Sequence, residues 1–448
     1  MKTDKYRRLL SCCPSLLDAA DKTANDKNGA LQNNIPAQVT AYVTAPVLFC
    51  YVCYILDSVK KNNINRIFFL SRDGYILKQI ADIIIERKKL KIQTSYLYVS
   101  RYSLRNALYY KCETAEDFEN AGLFTGYTLK SAKNFLKRAG LNDCQRVEVY
   151  KEIGFSDDEN KDLGDSEYSA FCEKIKNDPA LLCKIKNNSE NNYHNIMKYF
   201  EQSGLFEKGK IAVVDSGWMG TVQKTLTALV NGRTDENIIG YYFGLYRRED
   251  DNYKAFLFDV TDAYKYVPTF CNNLFECFCS APHGMTPWYR ECDGKIIPVL
   301  SDANAEMVKM AEIQTKTAVR FTEYACKNEN YIPICKMRDI SAGLLKALMY
   351  KPDKQEAEIL GAFPFSDDVT EAKIQRLAGN CKGSISNILL PVRIIRKKKG
   401  KSIYPDKYIY WLYGSIVLTG CKPAWVYRLS VREWERLRLL RERRKLCR

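Results

Sequence analysis

The stretch Lys210-Ile-Ala-Val-Val-Asp-Ser-Gly-Trp-Met-Gly-Thr-Val-Gln-Lys-Thr-Leu226 decides the fold. Its apolar, β-branched run from Ile211 to Val214 is too short for a helix and predicts a buried strand. Asp215 marks the polar tip of that strand, and the glycines that follow predict a turn into a helix that begins near Thr221. Because backbone N–H groups at such a helix start bind phosphate, the stretch predicts either a phosphate site or a plain structural turn.

Two other segments repeat this design of an apolar strand with a polar tip. Arg66-Ile-Phe-Phe-Leu-Ser-Arg-Asp-Gly74 leads into a helix predicted over Tyr75 to Arg87, and Ser95-Tyr-Leu-Tyr-Val-Ser-Arg101 supplies another strand. A further strand is predicted over Ile238 to Tyr246. Strands that alternate with helices indicate an α/β fold with a mostly parallel sheet, whose ligand site lies at the carboxyl ends of the strands. All three polar tips fall at that edge.

The composition changes several times along the chain, and a hairpin is predicted around Asp293-Gly294. These changes predict six parts: a loosely ordered lead-in, a first part of the α/β core, a helical insertion that acts as a hood, a second part of the core, a helical region, and a basic, aromatic and mainly helical tail (residues 1–34, 35–113, 114–206, 207–300, 301–392 and 393–448).

The formal net charge of +16 is concentrated in the tail. Residues 393–448 hold seventeen Lys or Arg against four Asp or Glu, a net charge of +13, which leaves +3 for the rest of the chain. Trp and Tyr residues lie among these charges, and this mixture suits an anionic membrane surface better than nucleic acid. A solvated basic helix that binds nothing is the alternative.

The cysteines, the histidines and one long apolar run bear on whether the protein is secreted, binds zinc or crosses a membrane. Seventeen cysteines without a secretion signal indicate reduced thiols and a cytoplasmic protein, and two histidines are too few for a zinc site. Ile35 to Leu56 is an uncharged run of 22 residues, long enough to cross a membrane. Its prolines and polar residues favour instead a buried helix over Pro46 to Val59.

The polar strand tips carry arginines and carboxylates, but no nucleophile stands beside a base. Ser71 and Ser216 have no histidine nearby in the sequence, and a hydrolase triad would have to recruit His194 or His283 from far away. Arginines beside a phosphate turn indicate a phosphorylated substrate, and a carboxylate at a strand tip can hold ribose hydroxyls or Mg²⁺. The chain also lacks Asp-x-Asp, which haloacid-dehalogenase phosphatases and many nucleotide-sugar transferases use.

The run Val213-Val-Asp-Ser-Gly-Trp-Met-Gly-Thr221 resembles the sugar-phosphate loop of type I phosphoribosyltransferases, where an apolar strand ends in acidic residues and a Gly/Thr turn wraps the 5-phosphate. Leu70-Ser-Arg-Asp-Gly74 is similar to the pyrophosphate loop of that family, and Ser100-Arg101 stands where a further pyrophosphate contact is expected. The resemblance implies a sheet of phosphoribosyltransferase-like type. The chain departs from the family in its shorter turn and in having Ser216 where a second acidic residue usually follows.

Together with Leu274-Phe-Glu-Cys-Phe278 and Ala281-Pro-His-Gly284, these motifs resemble proteins encoded with bacterial surface-polysaccharide enzymes, many of which carry an N-terminal haloacid-dehalogenase phosphatase domain. The resemblance covers roughly Pro46 to Leu300. It implies a Mg²⁺-dependent enzyme of capsule or lipopolysaccharide synthesis, peripheral to the inner membrane face. Such an enzyme transfers a 5-phosphoribosyl unit from phosphoribosyl pyrophosphate to a lipid-linked glycan acceptor, and a separate phosphatase then removes the phosphate.

The same resemblance implies roles for the charged residues. Arg72 and Arg101 neutralise the leaving pyrophosphate, and Asp215 binds ribose or the metal ion. Asp73 and Glu276 compete as the catalytic base that deprotonates the acceptor.

The other predicted residues contact the substrate. Trp218 either stacks on a sugar face or anchors the turn as a buried side chain. The further predicted substrate-binding residues are Ser71, Gly74, Ser100, Ser216, Gly217, Met219, Gly220 and Thr221.

Two other functions stay open at this point. One is a hydrolase of phosphorylated sugars, against which the missing Asp-x-Asp argues. The other is a non-catalytic, membrane-tethered assembly protein that has kept only the fold.

Overall fold

A sheet of five parallel strands forms the centre of the protein. The computed structural model describes residues 3–26, 34–125, 130–153, 159–234, 237–327, 332–366, 374–401, 403 and 409–446. The strands of the sheet are β1 (Arg66–Leu70), β2 (Gln93–Leu97), β3 (Ile211–Trp218), β4 (Ile239–Leu245) and β5 (Tyr253–Phe258), in the spatial order β2-β1-β3-β4-β5. The α/β fold with a mostly parallel sheet that the sequence predicts is confirmed.

The order of the strands reverses between β1 and β3, which lie side by side in the middle of the sheet. The chain places β2 on one side of β1, and it places β3, β4 and β5 on the other side. In open parallel sheets such a reversal leaves a crevice at the carboxyl ends of the two central strands, where ligands bind. The tips of β1 and β3 therefore mark the expected ligand site.

Helices cover both faces of the sheet. Along β1, Ile67 and Phe69 face one apolar layer, and Phe68 and Leu70 face the other, as the two-residue period of a strand requires. The helices are α1 (Asp4–Leu10), α2 (Pro14–Ala24), α3 (Ile35–Val39), α4 (Ala45–Lys61), α5 (Gly74–Arg87), α6 (Arg101–Tyr109), α7 (Ala115–Asn120), α8 (Ala132–Arg138), α9 (Asp143–Glu152), α10 (Asp165–Lys176), α11 (Pro179–Gln202), α12 (Thr221–Val230), α13 (Ala263–Tyr266), α14 (Asn272–Cys279), α15 (Ala305–Ala325), α16 (Ile334–Met349), α17 (Lys354–Gly361), α18 (Leu390–Lys398), α19 (Leu412–Thr419) and α20 (Ala424–Leu446).

The N-terminal residues differ from the loosely ordered lead-in that the sequence predicts. They form α1 and α2, which pack on α16 and α15. Tyr6, Leu10 and Leu16 are buried in these contacts, so apolar side chains at helical spacing outweigh the polar composition of the segment. Residues 1–2 and 27–33 of the lead-in lie outside the described residues.

The uncharged run that begins at Ile35 is one long helix. A turn of π-helix at Thr40–Thr44 joins α3 to α4 into a continuous element, Ile35–Lys61. Among the described residues it is the one helix whose length and composition would allow a membrane crossing, and 89% of its most apolar window is buried inside the protein. The buried helix that we predict over Pro46 to Val59 lies within this element.

The segment between β2 and β3 forms the helices α6 to α11. Most of them surround a small apolar core that includes Phe118, Phe135 and Phe171. The helix α11 connects this core to the sheet, because Ile185 belongs to the small core and Phe200 packs on the sheet layer.

Two strands differ from their predicted bounds: β2 ends at Leu97 and not at Arg101, which begins α6, and β3 is longer than expected. We expect β3 to end near its acidic tip, but its pairing with β4 continues through Gly217 and Trp218, which face Gly244 and Leu245. Both residues have positive φ angles, so an unusual backbone conformation keeps the strand paired beyond Asp215. Beyond Tyr246 the chain forms β5, a strand that the sequence pattern does not predict.

The C-terminal half adds three small features. The predicted hairpin is present as β6 (Trp288–Cys292) and β7 (Lys295–Val299), with Asp293 and Gly294 both at positive φ as a two-residue turn requires. A second antiparallel pair consists of β8 (Pro364–Phe365) and β9 (Gln375–Arg376). The tail forms α18, α19 and α20 and is attached to the body by the buried Trp411, whose indole donates to the Met349 carbonyl at 2.8 Å.

A buried carboxylate in α17 connects the N-terminal helices to the C-terminal half. Glu356 has no exposed surface and accepts hydrogen bonds from Lys5 Nζ at 2.6 Å and from the Tyr6 hydroxyl at 2.7 Å. We predict that Glu356→Ala lowers the free energy of unfolding by about 3 kcal/mol, because it leaves Tyr6 and Lys5 without their acceptor. Urea denaturation measures the loss.

Glu358→Ala on the same helix is the matched control, because Glu358 is half exposed and has only a weak ion pair with Lys354. A change below about 0.5 kcal/mol is expected for it. Equal effects of the two substitutions would contradict the prediction.

Candidate functional site

A cavity of about 600 Å³ lies at the carboxyl edge of the sheet, above the tips of β1 and β3. Its wall contains all of the residues that the sequence predicts for the site except Gly74 and Gly220. The predicted residues that line it are Ser71, Arg72, Asp73, Ser100, Arg101, Asp215, Ser216, Gly217, Trp218, Met219, Thr221 and Glu276.

The tip of β1 presents Ser71, Arg72 and Asp73 to this cavity. The Ser71–Arg72 peptide bond is cis, and the Ser71 hydroxyl donates to the Val99 carbonyl at 2.8 Å. Gly74, which follows, begins α5 with its Cα against the backbone of β1. A Cβ at this position would stand 2.7 Å from the carbonyl carbon of Phe69, so Gly74 is required for packing and does not line the cavity.

The tip of β3 is joined to the tip of β1 by a hydrogen bond between side chains. The Ser216 hydroxyl donates to the Asp73 carboxylate, and the Ser216 N–H donates to Asp215 Oδ1 at 2.9 Å. From behind the strand, the Tyr51 hydroxyl contacts the carbonyl oxygens of Asp215 at 2.9 Å and of Tyr241 at 2.8 Å. Ser216 therefore contacts both carboxylates, which fixes them in one small space.

Burial raises the pKa of both carboxylates. For Asp73 the hydrogen bond from Ser216 and the charges of Arg72 and Arg101 oppose this effect. For Asp215 the negative charge of Asp73 raises the pKa further, while the Ser216 N–H and Arg101 lower it. The pair therefore resists carrying two negative charges unless a cation or another positive group binds beside it.

The turn from β3 into α12 is built from glycines in unusual conformations. Gly217 has φ 118°, and a Cβ there would stand 2.3 Å from the Gly244 carbonyl oxygen. Gly220 is left-handed with φ 62°, and a Cβ there would meet the Tyr253 ring at 2.5 Å. Gly220 therefore packs behind the cavity wall, and Thr221, the first residue of α12, lines the cavity beside the positive end of that helix.

Trp218 is a buried anchor of this turn. Its ring packs among Tyr246, Phe258 and Phe270, and its Nε1–H donates to Glu276 Oε1 at 2.5 Å. Of the two roles that the sequence leaves open, the geometry matches the anchoring one. The adjacent Met219 side chain is exposed instead. Because Glu276 lies on α14, the bond also fixes that helix to the turn.

Ser100 caps α6 rather than facing the cavity with a free hydroxyl. Its Oγ accepts from the Ser103 N–H at 3.0 Å and donates to the Thr286 carbonyl at 2.7 Å. Arg101, the first residue of α6, is exposed and lines the cavity.

Several lining residues lie outside the predicted set. Arg105 lies one helical turn after Arg101, and that i, i+4 spacing is the sequence signal that could have found it. Tyr102, Asn272 and Ser280 lie near predicted residues in the chain. Others come from segments that carry no signal of their own, and they include Thr125, Tyr246, Met285, Met307, Pro364, Phe365 and Ser366.

The histidines and the cavity cysteine do not form a nucleophile with a base. The His283 ring forms a hydrogen bond with the Tyr96 hydroxyl at 2.9 Å through Nε2, and its Nδ1 contacts the Gly284 carbonyl oxygen at 2.8 Å. Burial lowers the pKa of His283. His194 lies in the insertion beside Glu190. Burial raises the pKa of the Cys277 thiol well above its usual value, which disfavours a nucleophilic thiolate.

The cavity's carboxylates fit a magnesium ion that is bound together with substrate phosphates. Within the described ranges, no group of three or more His, Cys, Asp or Glu side chains is placed to hold a metal ion alone. Magnesium, however, commonly binds through one or two carboxylates plus substrate phosphates and water. Asp215 and Asp73 match that requirement, because their shared space favours a cation.

Comparison with known proteins adds no assignment. No family model matches the chain, and no curated protein matches it.

The raised pKa of Asp215 predicts an unusual effect on stability. A carboxyl group whose pKa is higher in the folded state stabilises the fold fully only below its unfolded pKa, and this contribution is lost as pH rises. We predict that Asp215→Asn raises the free energy of unfolding near neutral pH by about 1 kcal/mol or more, and changes it little at about pH 4. The Asn oxygen keeps the bond from the Ser216 N–H.

Urea denaturation in magnesium-free buffer at several pH values measures this difference. Asp251→Asn is the control, because Asp251 is almost fully exposed and should show no such dependence on pH. A loss of stability in Asp215→Asn at neutral pH would show that the carboxylate is structural.

Proposed function

We propose that the protein is a glycan phosphoribosyltransferase that transfers a 5-phosphoribosyl unit from phosphoribosyl pyrophosphate to a sugar acceptor in cell-surface polysaccharide synthesis. The observation that carries the proposal is the placement of Asp73 and Asp215 in one cavity with Arg72, Arg101 and the start of α12. Such a set binds a doubly anionic sugar phosphate and its metal ion. The strand order, with its reversal between β1 and β3, supports a sheet of phosphoribosyltransferase-like type.

The donor is proposed to lie across the tips of β1 and β3. Its 5-phosphate binds at the start of α12, where Thr221 adds a hydroxyl to the backbone N–H groups. Its pyrophosphate faces Arg72 and Arg101, and Arg105 adds a third guanidinium on the same wall. Asp215 holds the ribose hydroxyls or the metal ion between these two ends. Mg²⁺, when bound, would neutralise part of the charge on the leaving pyrophosphate.

The proposed reaction exchanges one bond at C1 of the ribose for another. The bond from C1 to the pyrophosphate oxygen breaks, and its electron pair leaves with pyrophosphate, which the arginines stabilise. A hydroxyl oxygen of the acceptor attacks C1 from the opposite face, and its proton passes to Asp73 or Glu276. Both candidates line the cavity, and burial raises the pKa of Asp73, which makes its carboxylate a stronger base than an exposed one.

The acceptor is proposed to occupy the part of the cavity wall at α14. Asn272 and Glu276 of α14 and Ser280, which follows this helix, offer polar groups there, and Met285 and Met307 offer apolar surface. A sugar presents both hydroxyls and an apolar face, so this mixture suits a glycan acceptor. The product keeps its 5-phosphate, which a separate phosphatase would remove.

Hydrolysis of phosphorylated sugars is the first competing function. The chain lacks the Asp-x-Asp motif of haloacid-dehalogenase phosphatases, and its two histidines make their contacts outside the cavity lining. The second is a non-catalytic assembly protein, and the crowding of two carboxylates in a cavity argues against it, since a purely structural site gains nothing from this arrangement.

Incubation with phosphoribosyl pyrophosphate, Mg²⁺ and candidate lipid-linked acceptors tests the proposal. We predict release of pyrophosphate that depends on acceptor, together with a product heavier by a phosphopentose. Asp215→Asn and Arg101→Ala should each lower the rate at least about a hundredfold, because each removes charge stabilisation at the reacting centre. The exposed Asp251→Asn serves as control and should keep full activity.

Each alternative gives a different result in this assay. Release of free phosphate would favour the hydrolase, and pyrophosphate release without a heavier product would contradict transfer. Full activity of Asp215→Asn would contradict the assignment of this cavity as the active site. Comparison of Asp73→Asn with Glu276→Gln identifies the base, because the variant of the base should lose the pH dependence of the rate.

A further inference from the structure

The last helix, α20, holds an exposed patch of apolar and basic side chains. Trp425 is 64% exposed, and Leu429 and Leu437 are 38% and 44% exposed. Lys422, just before the helix, and Arg436 are exposed beside them. Trp425, Leu429 and Arg436 are four and seven residues apart, which places them on one side of the helix. We call these five residues the docking patch.

The rest of α20 is held firmly against the body, so this exposure belongs to a fixed surface. Val431 and Leu439 are buried against the body. Two cations of α18 contact the Trp434 ring, with Arg393 Cζ at 5.4 Å and Lys397 Nζ at 5.5 Å from its centroid. Near the end of the helix, Arg443 Cζ lies 5.2 Å from the ring centroid of Tyr264 in α13.

The chemistry of this helix fits an anionic lipid surface. Its eight Lys or Arg against three Glu give a net charge of +5. Large apolar side chains stand among these charges, and a tryptophan ring has its preferred place at the headgroup level of a bilayer. Nucleic acid would use the same charges, but it has no comparable use for exposed leucines at this surface.

The docking patch is part of a helix that also borders the proposed active site. Arg438 and Glu435 lie close enough to Tyr246 for their charges to affect the pKa of its hydroxyl, and Tyr246 lines the cavity. The same helix packs on the 3₁₀ turn Val267–Thr269, which is followed in the chain by α14. A surface bound by α20 would therefore lie near the acceptor wall.

We propose that the docking patch binds the protein to an anionic lipid bilayer, with the tryptophan and leucines inserted among the headgroups and the basic residues on lipid phosphate. The docking does not depend on the proposed transfer reaction. Only the further step, that the bilayer brings a lipid-linked acceptor to the cavity, rests on that proposed function.

Vesicle sedimentation with the full chain tests the docking. The protein should sediment with phosphatidylcholine vesicles that contain phosphatidylglycerol, and much less with phosphatidylcholine alone. Added salt should weaken the binding, because exposed charges are screened. Lys422→Glu with Arg436→Glu should weaken it at least about tenfold, since each basic residue near the surface contributes to the attraction.

Matched variants separate the patch from general effects. Trp425→Ala should weaken sedimentation clearly, and Trp288→Ala should not, although Trp288 is 53% exposed on the β6–β7 hairpin. Lys309→Glu with Lys316→Glu on α15 is the control for charge. Equal effects of patch and control variants would overturn the proposal. The proposal would also be overturned if the protein bound an RNA or DNA duplex more tightly than vesicles and Trp425→Ala left that affinity unchanged. That result would assign the helix to nucleic acid.

The transfer assay distinguishes failure of docking from failure of the proposed function. With a lipid-linked acceptor dissolved in detergent, Trp425→Ala should keep the wild-type rate, and with the acceptor in vesicles it should lose most of it. Vesicle binding without any transfer would support the docking and contradict the proposed transferase activity. Transfer in vesicles that is insensitive to Trp425→Ala would contradict the delivery of the acceptor by this surface.

Discussion

Two carboxylates, Asp73 and Asp215, share one enclosed space at the edge of a parallel sheet, and the architecture of the site depends on holding them there. Burial and mutual repulsion disfavour two negative charges in such a space. The protein offsets this cost with Arg72 and Arg101 and with hydrogen bonds from Ser216. Because β1 and β3 are adjacent and parallel, their tips are brought together by the sheet itself, without long loops.

The turn after β3 is held by contacts on two sides. The pairing of β3 with β4 continues past Asp215, and it requires a glycine at 217 because any side chain would meet the neighbouring strand. Trp218 then fixes the turn from the other side through its bond to Glu276. A catalytic or binding geometry is more accurate when it rests on strand pairing and aromatic packing than on a free loop.

The sequence reveals the strand tips because their signals are local, but it does not reveal what covers them. Short apolar runs that end in polar residues and glycine predict β1 and β3 and the part of the cavity wall that follows these strands. The roles of Gly74 and Gly220 in packing could not be predicted, because each depends on a side chain or backbone from another element. Residues such as Met307 and Phe365 reach the cavity only through tertiary contacts, and so carry no local pattern.

In the basic tail, the sequence gives the number of charges but does not show which of them are exposed. A count of Lys and Arg treats the tail as one surface, but Arg393 is buried against Trp434 and Trp411 belongs to the core. Burial of these residues holds α18 to α20 in place, and it leaves a smaller set of cations facing outward with Trp425. The surface that a helix offers to a partner therefore depends on which of its residues are buried in the core. Since α20 also borders the wall at Tyr246, the residues that anchor this helix position its outward face relative to the cavity.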